Sequence, residues 1–105
     1  MQVDLSQTLK DLPDWEWEAD RTAIVRRFTF PDFLQAFAFM QAIALQADAM
    51  DHHPEWSNVY NQVHIRWTSH DANALTERDR MMAVFCDALF ASTQGDQHAR
   101  TCSTG

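Results

Sequence analysis

The side chains best suited to proton transfer lie in one stretch of this sequence, DAMDHHPEWSNVYNQVHIRWTSH. Two adjacent histidines, His52 and His53, precede Pro54, and His70 follows a segment that alternates like a strand. Histidine has the unperturbed pKa closest to neutrality, so its imidazole can donate and accept protons at working pH. The cluster therefore indicates acid–base chemistry.

The histidine pair also has a purely structural interpretation, which spacing alone favours. A helix must end before Pro54, because the residue preceding a proline is pushed out of the α region. His52 and His53 would then lie at the helix end, where histidines satisfy the last carbonyl groups and suit the helix dipole. Asp48 and Asp51 lie near the same end, where the dipole disfavours acids. Their position points either to a histidine partner or to solvated carboxylates.

A metal site is a weaker alternative. Adjacent residues of an extended segment point apart, a zinc ion normally takes at least three protein ligands, and only His70 could join the pair. Trp56 also has two interpretations: it is either a core aromatic or a flat wall for an aromatic ligand, and core packing is the commoner fate.

A long helix is predicted to position the histidine pair. Asp32 can cap its free amides, and Gln35, three residues on, completes a capping-box arrangement. Apolar residues at helical spacing then predict the face that contacts the core, namely Phe33, Phe37, Met40, Ala44 and Ala47.

Two hairpins are predicted on either side of this helix. Trp15 and Trp17 alternate with acidic residues, and AIVRRFTF follows after a turn, so the two segments form the first hairpin. The turn-prone pair Asn61 and Gln62 separates the strands of the second. Its last strand divides its residues between two faces: Val63, Ile65 and Trp67 on one, and His64, Arg66, Thr68 and His70 on the other.

Helices are also expected at both ends of the domain. Leu5, Leu9 and Leu12 predict a short helix that stops near Pro13. Towards the other end, Thr76 and Asp79 form a capping box. The apolar helix after it carries Met81, Val84, Phe85, Ala88 and Leu89.

The element order α-β-β-α-β-β-α predicts an α+β fold. It would be a two-layer sandwich in which a four-stranded antiparallel sheet carries the helices on one face. The other face is left for a partner or a ligand. Residues 1–91 would form this domain, and residues 92–105, which lack apolar periodicity, are predicted to be a mobile tail.

Length and composition limit the function further. The 105 residues fit one domain. Fifteen acidic against eight basic side chains give a formal charge of −7, which disfavours direct binding to nucleic acid or to an anionic membrane surface. Cys86 and Cys102 form neither a CxxC pair nor a disulfide framework, so both are predicted to be free thiols. With no signal-like N-terminus and no spanning stretch, the chain is expected in the cytoplasm.

Taken together, the runs DHHPEW, NVYN and VHI, the strand-closing His70 and the run LTERD resemble the pterin-4a-carbinolamine dehydratase family. That family is also known as dimerisation cofactors of a homeodomain transcription factor. The resemblance extends in order and spacing from about Trp15 to Leu89. The combined motif is highly specific, whereas HHP alone would be weak.

This resemblance implies a lyase that needs no metal and no organic cofactor. It would dehydrate 4a-hydroxytetrahydrobiopterin, or pterin-4a-carbinolamine, to quinonoid dihydropterin during tetrahydropterin recycling. His52 and His70 would carry out the acid–base steps. His53 would orient the pterin, and Pro54 and Trp56 would shape the pocket wall.

Two acids would support the site that the resemblance implies. Asp79 matches the acid of the family's final capping box, and Asp48 stands where glutamate is usual. The shorter reach of Asp48 weakens the expectation of a hydrogen bond to His52. Family members usually carry glycine at the position of Ala74. If the backbone φ there is positive, alanine costs roughly 1 kcal/mol and the loop is altered locally.

The resemblance also implies partners: the pterin substrate, further copies of the chain in a homodimer or homotetramer, and an aromatic amino-acid hydroxylase of the same pathway. Two alternatives from other classes stay open. One is a binding or dimerisation protein that keeps the scaffold and catalyses little; the other is a metal-binding protein that uses the three histidines. Retention of His52, His53 and His70 favours the enzyme.

Overall fold

One sheet and two long helices are the main elements of the described part of the chain. The computed structural model describes residues 10–18, 22–69, 72 and 74–103, with side chains as far as Thr93. The elements are β1 (Glu16–Trp17), β2 (Ile24–Thr29), α1 (Phe33–Ala49), β3 (Glu55–Val59), β4 (Gln62–Trp67) and α2 (Glu77–Ser103). Lys10 and Asp11 are helical. The rest of the predicted N-terminal helix, with Leu5 and Leu9, lies outside the described residues.

The four strands form one antiparallel sheet in the order β1-β2-β4-β3. Alternation along β4 divides its side chains as predicted, because Val63, Ile65 and Trp67 are fully buried. Residues from both helices join the same core cluster. The α+β sandwich, with helices on one face of a four-stranded antiparallel sheet, is therefore confirmed.

The predicted core face of α1 is right for Ala47, which is buried, and for Met40, which packs against the core, but wrong for Phe33, Phe37 and Ala44. Phe33 and Phe37 are 42% and 50% exposed and stack on each other with ring centroids 5.9 Å apart. The residues that α1 buries are Ala36, Phe39, Ile43 and Ala47. Because Phe, Leu and Ala occur on nearly every side of this helix, several apolar stripes compete, and packing against the sheet selects among them.

The second hairpin turns one residue earlier than predicted. Tyr60 and Asn61 form the turn, Gln62 is already the first residue of β4, and Tyr60 has φ 51°. Asn61 fixes this end of the hairpin. Its side-chain amide donates to the Phe30 carbonyl at 2.8 Å, and its backbone carbonyl accepts from the Phe30 N–H at 2.9 Å.

Helix α2 continues to Ser103, past residue 91, where the apolar periodicity ends. Beyond residue 91 the helix is held by backbone hydrogen bonds and has no apolar face, so the sequence pattern does not predict it. The mobility of residues 92–105 stays a prediction. Within the described part of the chain, neither helix combines the length and apolar character of a membrane span.

Candidate active site

The end of α1 sets the position of the histidine pair. Asp51 adopts the left-handed conformation with φ 53°, and two hydrogen bonds close the helix: Asp51 N–H donates to the Asp48 carbonyl at 3.1 Å and His52 N–H to the Ala47 carbonyl at 2.9 Å. This pattern is a Schellman motif, which caps the last carbonyl groups with backbone amides. The backbone of His52 is therefore held by the helix itself, and its side chain is free for another contact.

The His52 side chain lies inside the protein. Its residue is only 7% exposed, its ring stacks on the Trp67 indole with centroids 5.6 Å apart and planes 19° apart, and Nε2 lies 2.6 Å from Oδ1 of Asp79. Such a short contact between an imidazole and a buried carboxylate is typical of strong, charge-assisted hydrogen bonds. The Asp79 carboxylate and the stacked Trp67 indole thus fix the orientation of the His52 ring.

Asp79 contacts residues on both sides of the site: His52 at the end of α1, and Ser69 and Thr76 in the loop before α2. It is fully buried in the first turn of α2, and its Oδ2 accepts from the Thr76 backbone N–H at 2.9 Å, the contact that a capping box requires. The same oxygen accepts from the Ser69 hydroxyl at 2.7 Å. Capping occupies one carboxylate oxygen, and the other is left for His52.

The loop between β4 and α2 brings Ser69 to this carboxylate. Ser69 N–H donates to the Ala74 carbonyl at 3.3 Å and Ala74 N–H to the Ser69 carbonyl at 3.4 Å, which folds the chain back on itself. Ala74 thus pairs with Ser69 as an isolated antiparallel bridge. His70 belongs to this loop but lies outside the described residues.

His53 and Asp48 form a separate, solvated pair. His53 Nε2 lies 3.3 Å from Asp48 Oδ1, and the two side chains are 59% and 86% exposed. Asp48 thus contacts the second histidine of the pair and not His52. Screening by water makes such an exposed contact weak, so it orients His53 only loosely.

Pro54 and Trp56 follow the histidine pair in the chain. Both are half-buried, and Trp56 packs against the core cluster from β3, directly opposite Ile65 of β4. Part of its indole is exposed, so Trp56 satisfies both interpretations of its sequence position: it is a core aromatic with a surface that a flat ligand could use.

The remaining reactive groups are poorer candidates for catalysis or metal binding. Burial raises the pKa of the Cys86 thiol to about 12, with a partial offset from the Trp67 indole, so Cys86 is no nucleophile near neutrality. Among residues 10–18, 22–69, 72 and 74–103, no group of three metal-ligating side chains is close enough to hold an ion. The zinc alternative depends on His70, which lies outside these ranges.

The open face of the sheet carries two shallow clefts of about 300 and 310 Å³, which share Arg27 and His64. Its polar groups are solvated or already paired. Arg66, for example, donates to Glu18 and Glu55, and the hydrogen bond to Glu18 is the main cause of a raised Arg66 pKa. Acid–base sites are typically partly desolvated and internally paired, as His52 and Asp79 are. The candidate active site is therefore the His52 site, which comprises His52, Asp79, Ser69, Thr76 and Trp67.

Comparison with known proteins identifies the family of this chain. The family model of the pterin 4 alpha carbinolamine dehydratases matches residues 2–89. A protein of Rhizorhabdus wittichii is 55% identical over 84 residues, which are 80% of this chain and 87% of that protein. One of Burkholderia orbicola is 52% identical over 86 residues, 82% and 84% respectively. Both carry the provisional name pterin-4-alpha-carbinolamine dehydratase. The chain belongs to this family, as its motifs predict.

Solved structures show the same fold. A transcriptional coactivator/pterin dehydratase from Brucella melitensis superposes with a TM-score of 0.77 at 39% identity, over 85% of this chain and 98% of its own. A pterin dehydratase-like protein identified as a RuBisCO assembly factor in the alpha-carboxysome gives 0.64 at 24% identity, over 73% and 89%. The second likeness concerns the fold alone.

Proposed function

We propose that the protein dehydrates a 4a-hydroxytetrahydropterin, with 4a-hydroxytetrahydrobiopterin as the test substrate, to quinonoid dihydropterin and water. The buried His52–Asp79 pair supports this most strongly, because it supplies an imidazole that can hold or release a proton inside a family whose relatives are named for this reaction. The dehydration changes no oxidation state, so it calls for no redox cofactor.

The reaction requires two proton transfers. The C4a–O bond breaks, the oxygen leaves as water after accepting a proton, and the N5 lone pair forms the new C=N bond while N5 loses its proton. One imidazolium, His52 or His70, donates to the leaving oxygen, and a neutral imidazole accepts the proton from N5. The Asp79 carboxylate holds the His52 ring in place through the 2.6 Å contact. General acid–base catalysis of this kind gives roughly 10²–10⁴-fold.

The exposed groups beside His52 would bind the substrate. A pterin is flat and carries several hydrogen-bonding atoms at its edge, which suits the exposed part of the Trp56 indole and the imidazole of His53. Pro54 holds these two residues in an extended segment. Asp48 supports His53 through its contact at 3.3 Å.

A rate measurement with matched histidine variants tests this proposal. Stopped-flow absorbance follows the appearance of quinonoid dihydropterin from 4a-hydroxytetrahydrobiopterin. The wild type should exceed the rate in buffer, and the double variant His52→Ala/His70→Ala should not. His64→Ala is the matched control, because His64 lies on the open face of the sheet, and it should keep wild-type activity. Full activity of the double variant refutes the assignment.

Self-association is the partner relationship that the structure favours. Leu34, Phe37 and Leu45 are 75%, 50% and 73% exposed on α1, and large apolar residues on one surface helix usually mark an interface. We propose that a second copy of the chain covers them, in a homodimer or homotetramer that works beside an aromatic amino-acid hydroxylase. Sedimentation should show a larger species for the wild type than for Leu34→Glu/Leu45→Glu. A monomeric wild type contradicts this.

A second candidate function is binding without catalysis. The protein of similar structure from Brucella melitensis is named both a transcriptional coactivator and a pterin dehydratase. A protein with this fold is thus named for binding as well as for catalysis. A chain that acts only as a binding protein would show no dehydration above buffer, whichever histidines are changed. The stopped-flow measurement therefore separates the two candidates.

A further inference from the structure

The hydrogen bonds around Asp79 determine which nitrogen of His52 carries the proton. Oδ2 lies 2.7 Å from the Ser69 hydroxyl, 2.9 Å from the Thr76 amide and 3.3 Å from the Thr76 hydroxyl. Oδ1 contacts only His52 among the described residues. The two oxygens of this buried carboxylate thus have different hydrogen-bonding partners, and those partners determine where each proton lies.

Each hydroxyl has one hydrogen to donate, and the distances show where it goes. The Ser69 and Thr76 hydroxyls are 2.7 Å apart, whereas Thr76 Oγ1 is 3.3 Å from Asp79 Oδ2. The shorter arrangement has Thr76 donating to Ser69 and Ser69 donating to Asp79. Ser69 is then the link through which both hydroxyls reach the carboxylate.

With these donors in place, Oδ2 cannot carry a proton of its own. The Thr76 backbone N–H can only donate, and the Ser69 hydroxyl donates beside it. Both contacts require Oδ2 to accept, and Asp79 stands in the first turn of α2, a position that suits an acidic side chain. Oδ1 of that carboxylate can only accept. The hydrogen in the 2.6 Å contact therefore belongs to Nε2 of His52.

This assignment leaves Nδ1 of neutral His52 as the basic nitrogen. Nδ1 has no hydrogen-bonding partner among residues 10–18, 22–69, 72 and 74–93, and one face of the ring is covered by Trp67. A nitrogen with a free lone pair on a fixed, nearly buried ring is the atom that can exchange a proton with a substrate.

We propose that Ser69 is a positioning residue that acts through Asp79: it holds His52 in the Nε2–H tautomer, so that Nδ1 is the nitrogen that transfers the proton. The catalytic consequence rests on the proposed dehydratase function, whereas the tautomer itself does not. Loss of the Ser69 hydroxyl should therefore alter the His52 tautomer and lower kcat with little change in KM. Outer partners of metal-binding histidines commonly contribute about 10–100-fold to activity, and we expect a loss of the same order in kcat for Ser69→Ala.

Imidazole ¹⁵N NMR reads the tautomer without any turnover. The protein labelled at its five histidines is measured at a pH where the rings are neutral, and a His52→Gln spectrum identifies the His52 signals. The wild type should show a protonated Nε2 and an unprotonated Nδ1. Ser69→Ala should move both signals towards a mixture of tautomers, and Ser69→Thr, which restores a hydroxyl, should return them towards the wild-type values.

Thr68→Ala is the matched control. Thr68 is buried one residue away, and its hydroxyl donates to the Thr22 carbonyl at 2.7 Å and not to Asp79. This variant loses a buried hydroxyl too, so it should lose stability but keep the His52 tautomer and kcat. A wild-type His52 protonated at Nδ1 overturns the inference, even if no Ser69 variant folds.

The two proposals fail in different ways. If the wild type shows no dehydration but the Nε2–H tautomer is present and depends on Ser69, the proposed function falls and the positioning role of Ser69 stands. If dehydration is observed but Ser69→Ala keeps both the tautomer and kcat, the positioning role falls and the proposed function stands.

Discussion

Replacing Asp79 by asparagine should reverse the proton arrangement of the His52 site. An amide has one accepting and one donating end, and the Thr76 N–H, 2.9 Å from Oδ2, can only donate. The amide oxygen must therefore take the place of Oδ2, and the NH₂ group must face His52 Nε2 across the 2.6 Å contact. Nε2 must then accept, so the proton of neutral His52 moves to Nδ1, the nitrogen that should serve as the base.

The expected loss of activity follows from this reversal. A catalytic histidine in the wrong tautomer costs about 10⁴ in kcat in the serine proteases, where an aspartate holds the ring in the same way. Here a second histidine takes part in the proposed mechanism, so we expect a loss of roughly 10²–10⁴-fold, or about 2.7–5.4 kcal/mol of transition-state stabilisation. Loss of the charged acceptor should also lower the free energy of unfolding by about 1–3 kcal/mol.

Stopped-flow dehydration assays give kcat and KM, and urea denaturation gives the stability. Glu77→Gln is the control, since Glu77 lies in the same helical turn, is exposed and pairs only with Arg80 within the described part of the chain. It makes the same change of charge without touching His52, and kcat should stay within about twofold of the wild type. An Asp79→Asn protein with wild-type kcat refutes the reasoning, because the reversed tautomer would then have no catalytic effect.

Three further changes probe the scaffold. Asp87→Ala should lower the free energy of unfolding, measured in urea, by about 2–4 kcal/mol. The Arg26 guanidinium lies 2.6 Å from Asp87 and is 15% exposed, and the substitution removes this inward partner. A change under about 0.5 kcal/mol contradicts this. Burial raises the pKa of Cys86 from 9.0 to about 12, so the folded state keeps a proton that the unfolded chain loses. The free energy of unfolding of the wild type, compared with that of Cys86→Ala, should hence fall as the pH rises above about 9, by up to about 1.4 kcal/mol per pH unit. The same pH dependence in both proteins would contradict this expectation. Asp51→Gly should raise the melting temperature, equivalent to about 0.5–1 kcal/mol, since φ 53° suits glycine; an unchanged or lower value would show that the Asp51 side chain compensates locally.

The sheet was the most predictable part of the fold. Residues of β4 alternate cleanly between two faces, and each of its inward residues is fully buried. β2 is less regular because Arg26 faces the core side, where Asp87 of α2 accepts from it and Phe28 lies beneath its guanidinium at 4.3 Å. That partner is 61 residues away in the chain, so no local pattern could explain the arginine.

The orientation of α1 could not be predicted from periodicity. A helix with apolar residues on most sides has no single preferred face. The residues left outside, such as Leu34 and Phe37, are exposed because the sheet offers one surface only. Whether another copy of the chain covers them is decided by association, which periodicity within one chain does not describe.

Within the site, the sequence indicated the residues but not their pairing. His52 and Asp79 are 27 residues apart, and capping already accounted for the aspartate. Asp48, close to the pair in sequence, contacts the exposed His53 instead. A capping acid whose second oxygen is unassigned is the one signal that could have suggested a distant histidine partner.

One measurement tests the central claim most directly: the rate of a single turnover of 4a-hydroxytetrahydrobiopterin mixed with an excess of enzyme. We expect the wild type to form quinonoid dihydropterin roughly 10²–10⁴ times faster than buffer, and His52→Ala to lose most of that acceleration. A wild-type rate equal to the rate in buffer, or a His52→Ala rate equal to the wild type, contradicts the account.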